Sequence, residues 1–477
     1  MKKLSLFQLV GLVIGSIIGG GIFNLMLNIS TGAGPAAILI GWLITGIGVT
    51  MLALSFQNLT AKRPDLTAGI YSYAKEGFGN FMGFNSAWGY WLSAWLGNVA
   101  YGTMLFSAVS FFFHLFGNGS NFPSIIGASV VLWFVTYLIL RGVESASAIN
   151  TIVTIAKLVP LIIFLFSAII AFRVGLFTQD FWGNMASTWV DVGSVPSLLS
   201  QVQSTMLVTV WVFIGIEGAV VFSGRAQKKS DVGKATIIGL VCVTTIYVLI
   251  TVLSLGVLSR ADMQELSTPA MAGLLKELIG PIGATIVNLG VIVSVLGAWL
   301  AWTMFAGELP YEAAKNGSFP KFFAKQNKNG APKNALLFTS LLIQVFLFTL
   351  LFTEQAYEFA FELASSAILI PYALSAFYQL KFSLKEEKGT KERTKNIVIG
   401  LIGSVFSVWL IYAAGLDYLL LTMLLYAPGI LVYRLVQKEK GERLFSIKEM
   451  VIASVIVALF FLAIVMIATG NIRVFGG

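Results

Sequence analysis

Runs of about 20 apolar residues, each long enough to span a bilayer, recur along this chain, and two of them are broken at their centres. The first break reads Ile18-Gly19-Gly20-Gly21-Ile22, and the second reads Phe213-Ile214-Gly215-Ile216-Glu217-Gly218. Glycine costs roughly 1 kcal/mol relative to alanine in a helix interior, so three in succession predict an unwound stretch. The carboxylate of Glu217 at bilayer depth costs a further ~2.5–3.5 kcal/mol. Unwound backbone at that depth persists only where it is buried in protein or lines a cavity. Interrupted segments in corresponding positions of two halves point to a transporter's binding site.

The rest of the chain agrees with a membrane protein. It is 57% apolar and only 11% charged, with mean hydropathy +0.86. Thirteen spans are predicted, at 7–27, 36–56, 81–113, 123–141, 147–172, 201–224, 233–258, 281–307, 335–353, 357–380, 397–415, 418–436 and 448–470. No small-residue cleavage site follows the first run, so no removable signal peptide is expected. The loops are too short for a soluble domain, although Met263–Leu278 reads as a short surface helix.

Charge sets the orientation. With the N-terminus inside, all but five of the 31 lysines and arginines fall on the cytoplasmic side, including Lys2, Lys3, Arg225, Lys228 and the run from Lys381 to Lys395. Arg173, Arg260, Lys276 and Arg473 lie outside, and Lys157 lies within a span. The net charge of +9 is then topology and contact with anionic lipid, not nucleic-acid binding. The expected location is a membrane, spanned many times, with a cytoplasmic N-terminus.

The breaks fall in spans one and six. Five spans per repeat is an odd number, so a second copy inserts inverted. The chain is therefore read as two five-span repeats, residues 1–172 and 201–380, with a three-span extension over 397–477. The expected class is an all-α membrane protein.

Several residues could carry chemistry. Successive glycines at Gly19–Gly21 free backbone N–H groups that suit a carboxylate at a half-helix N-terminus, and carbonyls that suit an ammonium group. An α-amino acid has both; close helix packing is the competing reading. Glu217 could bind a substrate cation, pair with a moving tyrosine, carry a proton, or make a structural hydrogen bond. Lys157 can occupy the place of a sodium ion and tie span five to the first break, or give up its proton when desolvated, the competing reading being snorkelling. Span three carries Trp88, Tyr90, Trp91, Ser93, Trp95 and Asn98, most of them suited to lipid or packing, with Tyr90 and Asn98 polar at depth. Trp302 offers a face for a cation, and Ser365 and Ser366 precede Pro371-Tyr372 in span ten. Cys242 reads as a packing residue and His114 as interfacial. One histidine and one cysteine leave no zinc, Cys–His or Ser–His–Asp site, and no GxxxxGK[ST] loop exists. No catalytic residue, metal or cofactor is expected.

The stretches Ile14-Gly15-Ser16-Ile17-Ile18-Gly19-Gly20-Gly21-Ile22-Phe23 and Trp211-Val212-Phe213-Ile214-Gly215-Ile216-Glu217 resemble spans one and six of the amino acid–polyamine–organocation superfamily. Residues 306–320, from Ala306-Gly307-Glu308-Leu309-Pro310 to Gly317-Ser318-Phe319-Pro320, resemble its loop after span eight. Gly83–Trp91, Leu207–Trp211 and Ser230–Thr236 extend the likeness to the basic amino acid/polyamine antiporters, in particular bacterial arginine/ornithine antiporters. The resemblance implies a leucine-transporter-like 5+5 inverted repeat with alternating access. It implies that Ile18, Gly19, Gly20, Gly21, Ile22 and Ile214 hold the substrate's carboxylate and amino group, with Trp211 packed over it. Ala94, Asn98, Trp302 and Ser365 would serve the substrate side chain, and Tyr90, Glu217 and Tyr372 would lock the cytoplasmic side. Lys157 resembles the lysine that replaces a sodium site. Gly20 stands where agmatine-linked relatives carry a serine.

The leading expectation is exchange of external arginine for internal ornithine. Rival readings are an antiporter of another amino acid and its decarboxylation product (tyrosine/tyramine, histidine/histamine, lysine/cadaverine), or a receptor or channel on the same scaffold. Expected partners are the amino acid and its counter-substrate, membrane lipid and a second copy in a homodimer.

Overall fold

The computed structural model describes residues 5–66, 70–142, 147–189, 195–217, 229–352 and 356–472, and all regular structure among them is helical. Helices α1 (Leu6–Ile17) and α2 (Leu25–Thr31) flank the first break, and α3 (Pro35–Lys62), α4 (Ile70–Phe78), α5 (Asn80–Ser110) and α6 (Phe122–Leu140) follow. Next come α7 (Ser147–Ala171), α8 (Val174–Gln179), α9 (Leu198–Phe213), α10 (Lys229–Val257), α11 (Arg260–Gln264) and α12 (Ala270–Ile279). The chain ends through α13 (Pro281–Lys315), α14 (Lys333–Thr349), α15 (Ala356–Lys385), α16 (Arg393–Ala413), α17 (Gly415–Lys440) and α18 (Ile447–Ala468). Nine of the described helices are long and apolar enough to cross a membrane: α3, α6, α10 and α13 to α18. Shorter apolar helices run over Lys157–Ala171 and Leu198–Phe213. Gly218, Arg225, Lys228 and the expected continuation of span six to 224 lie outside the described residues, as do Lys2, Lys3 and Arg473.

The chain forms two compact units that interleave in sequence. The first holds Met1–Ala53, Tyr101–Ser124 and Ser145–Ala298; the second holds Leu54–Ala100, Ile125–Glu144 and Trp299–Gly477.

In the first unit, the loop after α10 departs from the expected single surface helix. It forms α11 and α12, and Met263, Ala270, Met271, Leu274 and Leu275 are buried. Two contacts anchor it to the broken span. The Asn24 carboxamide oxygen accepts from the Ala270 backbone N–H at 2.9 Å, and Ser30 lies 3.3 Å from the sulfur of Met263. An apolar segment with buried partners gains more by packing than by lying on the surface.

The second unit shows how long helices tolerate proline. A helix-interior proline lacks the N–H that would bond the carbonyl four residues back. Pro371 in α15 leaves the Ala367 carbonyl, which accepts from the Tyr426 hydroxyl at 2.9 Å. Pro310 in α13 leaves the Ala306 carbonyl, which accepts from the Thr339 hydroxyl at 3.3 Å, while Thr339 accepts from the Trp91 indole at 3.0 Å. Beside Pro428 in α17, the Leu425 carbonyl accepts from the Trp88 indole at 2.9 Å. Neighbouring helices thus supply donors to the carbonyls that Pro371 and Pro310 leave free. Trp88 and Trp91 are buried, with Trp91 fully so, and their work is packing and hydrogen bonding.

At the foot of the same unit, Arg63 pairs with Asp65 at 2.8 Å and Glu76 at 3.3 Å and donates to the Tyr378 hydroxyl at 2.7 Å. The Arg63 guanidinium holds the Asp65 carboxyl below its ordinary range. The ring of Tyr73 stacks on Tyr378 at 6.1 Å. These contacts fasten α4 and the end of α3 to the C-terminal part of α15.

Candidate functional site

The first break expected from the sequence is present, and α9 ends where the second is expected; both positions lie in the first unit. Helix α1 stops at Ile17, Ile18 and Gly19 are irregular, Gly20–Phe23 makes a single 3-10 turn, and α2 resumes at Leu25. Helix α9 stops at Phe213, and residues 214–217 form a turn in which Gly215 takes φ +110°, a region that favours glycine.

Each break leaves carbonyls without a helical donor, and the structure provides replacements. The buried Lys157 ammonium donates to the Gly15 carbonyl at 2.8 Å and to that of Ile18 at 2.7 Å. Lys157 therefore does not snorkel; it serves the first break. The hydroxyl of Tyr247, on α10, lies 2.9 Å from the Val212 carbonyl and 3.3 Å from that of Ile17. One phenol thus reaches the ends of α1 and α9 together.

The second break also packs on the first. Gly21 accommodates the indole of Trp211, since a Cβ on Gly21 would lie 2.5 Å from Nε1 and 2.8 Å from Cδ1. A Cβ on Gly20 would lie 3.1 Å from Met104 and from Val295. Tyr101 completes the wall, with its ring 6.1 Å from that of Trp211 and its hydroxyl 3.2 Å from where a Cβ on Gly19 would stand. Ile18, Gly20, Gly21, Ile22, Trp211, Ile214 and Glu217 are all buried. A carboxylate oxygen of Glu217 accepts from the Gly215 backbone N–H at 3.3 Å, closing the second turn on itself.

The first unit thus brings together Ile18 to Ile22, Lys157, Trp211, Ile214 and Glu217. The remaining expected residues, Tyr90, Ala94, Asn98, Trp302, Ser365 and Tyr372, belong to the second unit. There the Phe305 ring meets Tyr90 at 5.2 Å and Trp302 at 5.4 Å, both edge-on. Asn98 donates to the Ala94 carbonyl at 3.3 Å, and among the described residues its buried carbonyl oxygen has no hydrogen-bond partner. Ser365 is fully buried and donates to the Phe361 carbonyl at 2.7 Å. Tyr372 packs on Phe56 at 5.9 Å.

Sequence reasoning missed Tyr101, Met104 and Tyr247. For Tyr101 a signal existed: Ala94, Asn98 and Tyr101 recur at i, i+4 and i+7 and so share one helix face. Tyr247 carries no such mark, because one aromatic residue in an apolar span reads as packing.

Apolar helices of spanning length, an unwound helix centre held against the turned end of a second helix, and a buried ammonium and carboxylate beside them define a multi-pass membrane transport protein. Comparison with known proteins agrees. The Amino acid permease family model matches residues 4–416. The arginine/ornithine antiporter of Pseudomonas aeruginosa is 46% identical over 466 residues, covering 96% of this chain and 95% of the relative. That of Latilactobacillus sakei is 46% identical over 474 residues, covering 99% and 98%. The arginine/agmatine antiporter of Chlamydia abortus is 41% identical over 478 residues, again covering 99% and 98%. The chain belongs to the amino acid permease family, and within it to the basic amino acid antiporters.

Proposed function

We propose that this protein is a one-for-one antiporter that takes up arginine and releases ornithine by alternating access. The observation that carries the reading is the pairing of Gly21 with Trp211: the unwound centre of the first helix meets the end of α9 where freed backbone groups suit an amino acid's carboxylate and amino group. Relatives named arginine/ornithine antiporters, at 46% identity over nearly their whole length, support the substrate pair.

Residues Ile18 to Ile22 and Ile214 take the groups common to all amino acids, and Trp211 covers them. Ala94, Asn98, Trp302 and Ser365 read the side chain. Tyr90, Glu217 and Tyr372 control the cytoplasmic side, and Lys157 keeps the first break ordered without sodium. The architecture is a 5+5 inverted repeat with three further spans, thirteen in all, in a bacterial plasma membrane with the N-terminus inside. A homodimer is the proposed assembly.

Counting both fluxes in proteoliposomes tests the reading. Labelled arginine should enter as labelled ornithine leaves, in a ratio of one; arginine entry with no ornithine efflux contradicts it. The Chlamydia abortus relative favours a second reading, exchange of arginine for its decarboxylation product. Preloading with agmatine in place of ornithine separates the two.

A further inference from the structure

Helix α13 carries no charge from Pro281 to Gly307, and its first ionisable residue is Glu308. Ala301, Phe305, Glu308, Glu312 and Lys315 recur at spacings of four, three, four and three, so they form one stripe along the helix. In the second unit this stripe is the open side of the helix. Ala301, Glu308 and Lys315 are exposed and Phe305 and Glu312 are half-buried, whereas Thr303, Ala306, Leu309 and Ala313 are buried.

The charges on the stripe are not equivalent. Glu312 is paired with Lys315 at 2.9 Å, and that ammonium also lies 5.0 Å from the centre of the Tyr311 ring. Glu308 makes neither a hydrogen bond nor an ion pair among the described residues. One turn nearer the helix centre, Phe305 packs on both Trp302 and Tyr90. The helical rise puts Glu308 about 9 Å along the axis from Trp302. An uncommitted carboxylate on a spanning helix faces protein or water rather than acyl chains.

We propose that Glu308 is a specificity-determining residue: its carboxylate receives the ammonium or guanidinium group of a dibasic amino acid passing between the Trp302–Phe305–Tyr90 aromatic group and the C-terminal end of α13. The proposal rests on the exchange reading above and adds to it a cation station on one side of the membrane. A free carboxylate attracts either dibasic substrate and offers nothing to a neutral side chain. As a partly hydrated charge, it acts on capture of the substrate more than on turnover.

The test measures half-saturation for ornithine and for arginine from each side of oriented vesicles, using wild type, Glu308→Gln and Glu308→Asp. Glu308→Gln should raise half-saturation from the α13 C-terminal side by about three- to tenfold, leave the opposite side and the maximal rate near wild type, and flatten the salt dependence between about 20 and 300 mM. Glu308→Asp should retain that salt dependence. Half-saturation in Glu308→Gln within about 1.5-fold of wild type on both sides overturns the proposal while leaving the exchange reading intact. A lower maximal rate with unchanged half-saturation also overturns it, because that is the signature of a structural role. Absence of arginine–ornithine exchange in wild type removes both.

Discussion

Trp211 and Gly21 occupy one another's space: the indole lies where any side chain at position 21 would have to go. The first break is thereby fitted to the end of α9, and the carbonyls freed there are held by Lys157 and Tyr247. The glycine run is thus more than a weak point in a helix. It is the seat for the tryptophan of the other break.

Adding one methyl group tests that fit. Gly21→Ala should cost about 1–3 kcal/mol by overpacking and suppress exchange far more than expression. The double variant Gly21→Ala/Trp211→Leu should recover the lost thermal midpoint without recovering exchange. If Gly21→Ala exchanges normally, the indole moves aside freely and the seat is not required.

Lys157→Met keeps the volume of the side chain and removes its charge. The carbonyls of Gly15 and Ile18 would then be buried without donors, at about 1–3 kcal/mol each. Detergent-solubilised Lys157→Met should melt several degrees below wild type and exchange poorly. An unchanged midpoint would show that the first break does not depend on this ammonium.

Tyr247→Phe removes a single oxygen shared by the ends of α1 and α9. Its expected cost is about 1 kcal/mol, with a larger effect on turnover than on substrate affinity, because the phenol joins the ends of α1 and α9 without facing the substrate. Equal losses in both, read from initial rates across a substrate series, would argue for a local packing defect.

The proline carbonyls allow a double-mutant cycle. Tyr426→Phe should cost about 1–3 kcal/mol by stranding the Ala367 carbonyl. In a Pro371→Ala background the helix regains its own donor, and the cost of Tyr426→Phe should fall below about 0.5 kcal/mol. Additive costs would mean that Tyr426 acts through its ring alone.

Much of this was legible in the sequence for identifiable reasons. Gly19 to Gly21 and Gly215 interrupt apolar runs, and Lys157 is a lone cation at depth; each violates a local rule, and such violations gather at functional sites. The contacts that satisfy the breaks were not legible. Tyr247 meets Ile17 across 230 positions, and Tyr426 meets Ala367 across 59, with nothing in either residue's neighbourhood to announce the pairing. Trp91 illustrates the same limit: its indole donates to Thr339, whose hydroxyl answers Pro310 on another helix, a relation visible only once the helices are packed. Met263–Leu278 reads in the sequence as a short surface helix, whereas its apolar residues pack against the broken span's end, which Asn24 and Ser30 contact.

The central claim is that the occupied site, not the empty one, drives the switch between faces. Trans-stimulation measures it most directly: uptake of labelled arginine into vesicles preloaded with ornithine, compared with empty vesicles. The account predicts uptake several-fold faster from the loaded vesicles and close to background from the empty ones. Equal rates from loaded and empty vesicles would contradict it.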